Sequence, residues 1–137
     1  MSIDARGVTP LLEVFDMYRS IAFYCDVLGF ELIDKYEPEG HLYWAMLKLG
    51  GATIMLNARY KNDKRPPAPD AGRAAGHADT ELYFGCGDVE AAYTDLMSKG
   101  LQIAKPKITH YRMKQLWLAD PDGFKLCFQQ PAGGYNG

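Results

Sequence analysis

Three cysteines, three histidines, two tryptophans and the glutamates Glu13 and Glu81 are the side chains of this sequence that could do chemistry. Cys25, Cys86 and Cys127 are odd in number and far apart, with no Cys-x-x-Cys pair for zinc or disulfide exchange. Reduced thiols in a cytoplasmic protein are therefore expected. A cysteine nucleophile needs a nearby base and a lowered pKa. Cys86 adjoins a helix cap that could lower its pKa, but neither it nor Cys25 has a histidine within reach in the sequence. Glu13 and Glu81 could do acid–base work if one were desolvated. His41, His77 and His110 fall in turns, loops or at a strand start, where solvent exposure is expected. Trp44 and Trp117 can stack on planar groups, and the two glutamates near them would favour a cationic ligand. No residue is assigned a catalytic role, and glycine loops that cradle phosphate are absent.

Two sets of elements must position these groups. Residues 8–15 read as a strand, Asp16 as a cap, and residues 17–28 as a helix ending at Gly29, since Ile21, Tyr24, Val27 and Leu28 recur at helical spacing. Strands at 30–36, 42–49 and 52–57 follow, with a turn at 37–40 and a hairpin at Gly50-Gly51, giving β-α-β-β-β. Residues 58–79 have linker chemistry and a small basic cluster (Arg59, Lys61, Lys64, Arg65) that reads as a solvated loop. The pattern then restarts. Thr80 to Cys86 is a strand, Asp88 a cap, and Val89, Ala92, Tyr93, Leu96 and Met97 mark a helix ending at Gly100. A short strand is expected at 101–104 and a loop at 106–111, followed by a hairpin turning on Asp120-Pro121-Asp122-Gly123, with a frayed tail at 133–137. The caps Asp16 and Asp88 lie 72 residues apart, as do Gly51 and Gly123, which indicates an internal duplication. The expected organisation is one domain over 1–137, made of module 8–57, connector 58–79 and module 80–130.

Strand alternation assigns the faces. Leu12, Val14, Ala45, Leu47, Leu49, Ile54 and Leu56 would face the first helix, and Leu82, Phe84, Leu116, Leu118, Leu126 and Phe128 the second. The opposite face collects Thr9, Leu11, Glu13, Trp44, Met46, Thr53, Met55, Glu81, Tyr83, Gln115, Trp117 and Cys127. Large apolar area with a few polar groups is what a ligand cleft needs. The ligand contacts expected are Glu13, Trp44, Met46, Met55, Glu81, Tyr83, Gln115, Trp117 and Cys127. The other reading of the tryptophans is that they pack on each other or across a dimer interface.

The totals exclude several classes. A chain of 137 residues with 47% hydrophobic and 23% charged content can bury a core of its own. A net charge of -2 gives no electrostatic reason for nucleic acid or an anionic membrane. No apolar run is long enough to span a bilayer, and no export signal is visible at the start.

Four segments carry a resemblance to a known family: Thr9-Pro10-Leu11-Leu12-Glu13-Val14-Phe15-Asp16, Ile21-Ala22-Phe23-Tyr24-Cys25-Asp26-Val27-Leu28-Gly29-Phe30, Asp88-Val89-Glu90-Ala91-Ala92-Tyr93 and Asp120-Pro121-Asp122-Gly123-Phe124. The chain resembles the vicinal oxygen chelate superfamily, the glyoxalase/bleomycin-resistance/extradiol-dioxygenase fold. The resemblance implies an α+β fold of two βαβββ modules, with curved mixed sheets around a cleft, in homodimers. In metal-using members each module gives one ligand from its first strand and one from its last. By position these are Thr9, Met55, Glu81 and Cys127. Thr9 and Met55 are weak divalent ligands, which leaves a hard oxygen and a soft sulfur that suit different metals. This departure, with the Thr-Pro opening and the tryptophan before the Asp-Pro turn, is similar to the bleomycin-resistance-like branch. It implies metal-free, cofactor-free binding and sequestration of a small molecule, cationic and aromatic or antibiotic-like. The alternative is a metal-dependent lyase, isomerase or dioxygenase of the same superfamily with Glu81 and Cys127 as ligands. A third is a structural module whose faces bury one another.

Overall fold

The computed structural model describes residues 2–61 and 64–132. The chain divides into two compact units, Met1–Pro67 and Ala68–Gly137. Each holds one four-stranded mixed sheet with a helix, so the α+β class and the two β-α-β-β-β modules are as expected. In the first unit β1 (Leu11–Val14), β2 (Glu31–Tyr36), β3 (Trp44–Leu49) and β4 (Ala52–Ala58) lie in the order β1-β4-β3-β2. In the second, β5 (Glu81–Gly85), β6 (Lys107–Ile108), β7 (Met113–Ala119) and β8 (Lys125–Pro131) lie in the order β5-β8-β7-β6. The first strand of each unit pairs parallel with the last, and the remaining pairs are antiparallel. Among the described residues no helix is long and apolar enough to cross a membrane.

The caps act alike in both units. Asp16 accepts from the Arg19 amide at 3.2 Å and Asp88 from the Ala91 amide at 3.0 Å, each satisfying a helix-start donor that would otherwise lack a partner. Helix α1 (Met17–Ile21) continues as a wider turn, Ala22–Val27, in which the Leu28 amide reaches back to the Phe23 carbonyl at 3.1 Å. This π-type widening lies inside the single helix expected over 17–28, and Gly29 ends it at φ 89°. Leu12, Val14, Tyr24, Ala45, Leu47, Ile54 and Leu56 form the first core. Helix α3 (Val89–Ser98) sends Val89 and Leu96 to the second, with Phe84, Leu116, Leu118, Leu126 and Phe128. Gln130 of β8 ties down the start of α3 by accepting from the Val89 amide at 2.6 Å. Met97, expected on the apolar face, is exposed.

Two expectations about the elements are corrected. No strand forms at 101–104; the short edge strand is β6 at Lys107–Ile108, because pairing with Lys114 and Gln115 of β7 decides where it lies. The connector is not structureless. Residues 62 and 63 lie outside the described residues, but α2 (Ala71–Gly76) forms behind Asp70, whose carboxylate accepts from the Gly72 and Arg73 amides. The 72-residue offset holds for the parallel pairs, since Leu11 meets Met55 as Tyr83 meets Cys127. The hairpins differ in length: Leu49 pairs with Ala52 across two residues and Ala119 with Lys125 across five, so Met46 is the counterpart of Trp117.

That longer turn is built around Asp120, 5% exposed, whose carboxylate accepts from the Asp122 and Phe124 amides at 2.9 Å each. His77, just after α2, places Nδ1 2.7 Å from the Asp122 carbonyl and stacks on Phe124 at 3.9 Å. It is therefore half-buried rather than solvent-exposed. Gly123 has φ 85°, and a Cβ there would meet the Ala74 carbonyl oxygen at 2.8 Å. Gly123→Ala is expected to destabilise the protein by about 2 kcal/mol or more in denaturant titration, combining the left-handed backbone with displacement of α2. Gly51→Ala, where an added Cβ meets nothing, is expected to cost well under that.

Candidate functional site

The side chains opposite the helices form an open face on each sheet, and all nine expected contact residues lie on these faces: Glu13, Trp44, Met46 and Met55 on the first, Glu81, Tyr83, Gln115, Trp117 and Cys127 on the second. On the first face Met46 pairs with Met55 and Trp44 with Asn57. Glu13 meets Arg59 at 3.7 Å. The hydroxyls of Thr9 and Thr53 lie 2.9 Å apart and hydrogen-bond to each other. The other recess of this unit, among Phe15, Tyr18, His41, Tyr43, Tyr60 and Arg65, has about 20 Å3, room for a single water. Arg65 is held there by Asp16 at 3.4 Å and the Phe15 ring at 5.9 Å, so two of the four cations of the basic cluster, Arg59 and Arg65, are tied to the fold.

The second face is the more organised. Register lines up three rows across β7, β8 and β5: Ala119-Lys125-Glu81, Trp117-Cys127-Tyr83 and Gln115-Gln129-Gly85. In the middle row the Tyr83 ring meets Trp117 edge to face at 5.4 Å over the fully buried Cys127. Gln115, 6% exposed, uses its whole amide. Its Oε1 accepts from Trp117 Nε1 at 3.1 Å, and its Nε2 donates to Gln129 Oε1 at 3.0 Å and to the Tyr111 hydroxyl at 3.2 Å. An indole N–H can only donate, so Trp117 fixes which way the Gln115 amide points. An open recess of about 380 Å3, lined by Glu81, Trp117, Leu118, Ala119 and Lys125, lies at the other end of the indole.

Electrostatics separate binding from catalysis here. Burial pushes the Cys127 thiol up to about 11, and the charge of Glu81 adds to it. At neutral pH the sulfur keeps its proton, which disfavours the thiolate that a nucleophile needs. Desolvation, then the Glu81 carboxylate that accepts its hydrogen bond at 3.1 Å, raises the Tyr83 hydroxyl. Of the two carboxylates expected to draw a cation, Glu13 meets Arg59 at 3.7 Å, and Glu81 holds the Tyr83 hydroxyl with Lys125 as its register partner.

The donor set does not fit a divalent metal. Thr9 is committed to Thr53, Met55 is a thioether, and a soft Cys127 sulfur stands with a hard Glu81 oxygen that holds Tyr83. Among the described residues no group of three or more His, Cys, Asp and Glu could hold a metal ion. His110, exposed, rests edge-on to Tyr111 at 5.0 Å, and His41 stacks near Tyr43 at 6.4 Å. Sequence reasoning missed Tyr111 because it sits in a loop with no periodicity. Gln129 was reachable, since it alternates with Cys127 along β8.

A family model described as Glyoxalase/Bleomycin resistance protein/Dioxygenase superfamily matches residues 9–128. The sequence is 28% identical over 123 residues to a protein named probable lactoylglutathione lyase from Synechocystis, covering 85% of this chain and 88% of that one. It is 27% identical over 133 residues to a lactoylglutathione lyase from Neisseria meningitidis, covering 94% and 93%. The fold is similar to that of TnmS3, an antibiotic binding protein from Streptomyces, with a TM-score of 0.69 at 22% identity, covering 96% of this chain and all of that one.

Two outcomes follow from this geometry. Gln115→Leu leaves the Trp117 N–H without its acceptor and is expected to cost about 1–3 kcal/mol and to shift tryptophan emission. The thiol of Cys127 has a raised pKa in the folded state, so the stability tied to it is present below about pH 9 and is lost as pH rises through about 11. Cys127→Ala is expected to flatten that alkaline decline in denaturation midpoints measured across the same range.

Proposed function

Because the chain belongs to the glyoxalase/bleomycin resistance protein/dioxygenase superfamily, we propose that it binds and sequesters a small, flat, antibiotic-like organic molecule on the open face of its second sheet, without a metal. The observation that carries this reading is the middle row of that face. Trp117 and Tyr83 present aromatic surface over a buried, protonated Cys127, while Gln115 holds the indole in one orientation at 3.1 Å. A rigid aromatic anchor beside an open recess gives a planar ligand area to cover at little entropic cost. The likeness in fold to TnmS3, an antibiotic binding protein, is in keeping with this reading.

The names of the two curated relatives favour a second reading, a metal-dependent lyase. It needs three or four protein ligands around an ion, and the residues at the corresponding positions are Thr9, Met55, Glu81 and Cys127. Two of these are weak ligands, and the other two are a hard oxygen and a soft sulfur that suit different metals. The binding reading asks nothing of them beyond packing and one hydrogen bond.

Proflavine, planar and cationic, and acridine, planar and neutral, serve as probes in tryptophan-quenching titrations. Wild type is expected to respond to at least one, and Trp117→Ala to weaken that binding about tenfold. Trp44→Phe separates the signal of the other tryptophan. A wild type silent to both probes would sink the reading. In elemental analysis Zn, Ni, Mn and Fe are expected well below one equivalent, and a stoichiometric metal lost on Glu81→Ala would favour the lyase.

A further inference from the structure

The open face of the second sheet has two electrically different ends. At one end Glu81 and Lys125 are register partners, which puts one negative and one positive residue in the same row. At the other end, past the Gln115-Gln129 row, Lys107 pairs with Gln115 across β6 and β7. Antiparallel partners share a face, so Lys107 is on the same side as Gln115, Trp117 and Cys127. Its neighbour Ile108 is on the helix side, with its partner Lys114, whose ammonium reaches Glu90 of α3 at 2.8 Å. Lys107 is exposed and forms no ion pair with another described residue.

The hydrogen bonds of this end all run in one direction. Trp117 donates to Gln115, and Gln115 donates to Gln129 Oε1 and to the Tyr111 oxygen. The Gln115, Gln129 and Tyr111 oxygens each already accept one of these bonds, whereas the Nε2 hydrogens of Gln129 and the hydroxyl proton of Tyr111 are still to be given. With the Lys107 ammonium, this makes an end that offers donors and positive charge. The acidic residue of the face, Glu81, lies two rows away, about 13 Å along the strands at two residues per row. Gly85 closes the row on the β5 side with no side chain, and nothing occupies the space where its Cβ would be.

We propose that the molecule held here is a planar aromatic carrying an anionic, acceptor-only head, such as an aromatic carboxylic acid. Its ring lies on Trp117 and Tyr83 and its carboxylate sits among Lys107, Gln129 and Tyr111. The spacing suits this, since adjacent rows of one face are about 7 Å apart, which a ring centre-to-carboxylate oxygen distance of roughly 3.5 Å and a hydrogen bond of about 2.9 Å together span. Lys107 is then the residue that sets specificity for charge. The inference rests on the flat-ligand reading above and reverses the cationic preference expected from Glu13, which meets Arg59, and Glu81, whose register partner is Lys125.

Isothermal titration calorimetry with naphthoate, naphthamide and naphthylmethylammonium tests it, since the three share a ring and differ in the charge of the head. Wild type is expected to bind naphthoate about tenfold tighter than naphthamide, with the ammonium weakest, and added salt should erode the naphthoate advantage. Lys107→Gln is expected to collapse the naphthoate-to-naphthamide ratio toward one. Lys99→Gln, at a lysine paired with Asp95 on α3, retains it. Comparable affinity for all three probes, or a ratio unchanged in Lys107→Gln, would overturn the anionic head while leaving the flat-ligand reading standing. Failure of all three to bind overturns both.

Discussion

The parallel pairing of the first strand of each unit with its last is the constraint from which the rest of the structure follows. Leu11 against Met55 and Tyr83 against Cys127 set the register, and a slip of one residue would turn every side chain on those strands to the opposite face. With the register held, Leu12, Val14, Leu56, Leu126 and Phe128 are driven under the helices by burial of apolar area. Their neighbours in sequence are then left on the open faces, whatever their chemistry. The functional surface is the remainder of the core-forming pattern.

What distinguishes the two open faces is how their polar groups are satisfied. On the first, the hydroxyls of Thr9 and Thr53 close on each other and Glu13 meets Arg59, so the polar groups are turned inward to the chain. On the second, Gln115 works as a relay that takes in the Trp117 N–H and passes donor capacity to Gln129 and Tyr111. A buried amide with every hydrogen-bonding group used resists rotation, which keeps the indole in place ahead of any ligand. The same burial that makes the middle row rigid keeps the Cys127 sulfur protonated.

The segment between the sheets has a structural role that its composition does not announce. Helix α2 and His77 press on the Asp120-centred turn, with the His77 ring on Phe124 at 3.9 Å and the Ala74 carbonyl close to Gly123. The turn connects β7 to β8 and so carries Trp117 on one arm and Cys127 on the other. A stretch rich in proline, glycine and alanine thereby helps set the geometry of two residues of the candidate site.

Much of this was legible in the sequence, because alternation, caps and turn residues are local signals. The open-face placement of Glu13, Trp44, Met46, Met55, Glu81, Tyr83, Gln115, Trp117 and Cys127 needs only a period of two. The caps Asp16 and Asp88 need only a carboxylate three residues before an amide, and the positive φ of Gly123 only the chemistry of its turn. The tertiary structure alone decided which of those residues touch. Tyr111 reaches Gln115 through a loop without periodicity. Lys107 shares a face with Gln115 because β6 pairs there and not at 101–104. Trp117 answers to Met46 because the second hairpin carries a five-residue turn where the first has two. Local preference fixes the direction in which a side chain points along its own strand, whereas the neighbours it meets depend on long-range register, which is set by burial and by hydrogen bonds between segments far apart in the chain.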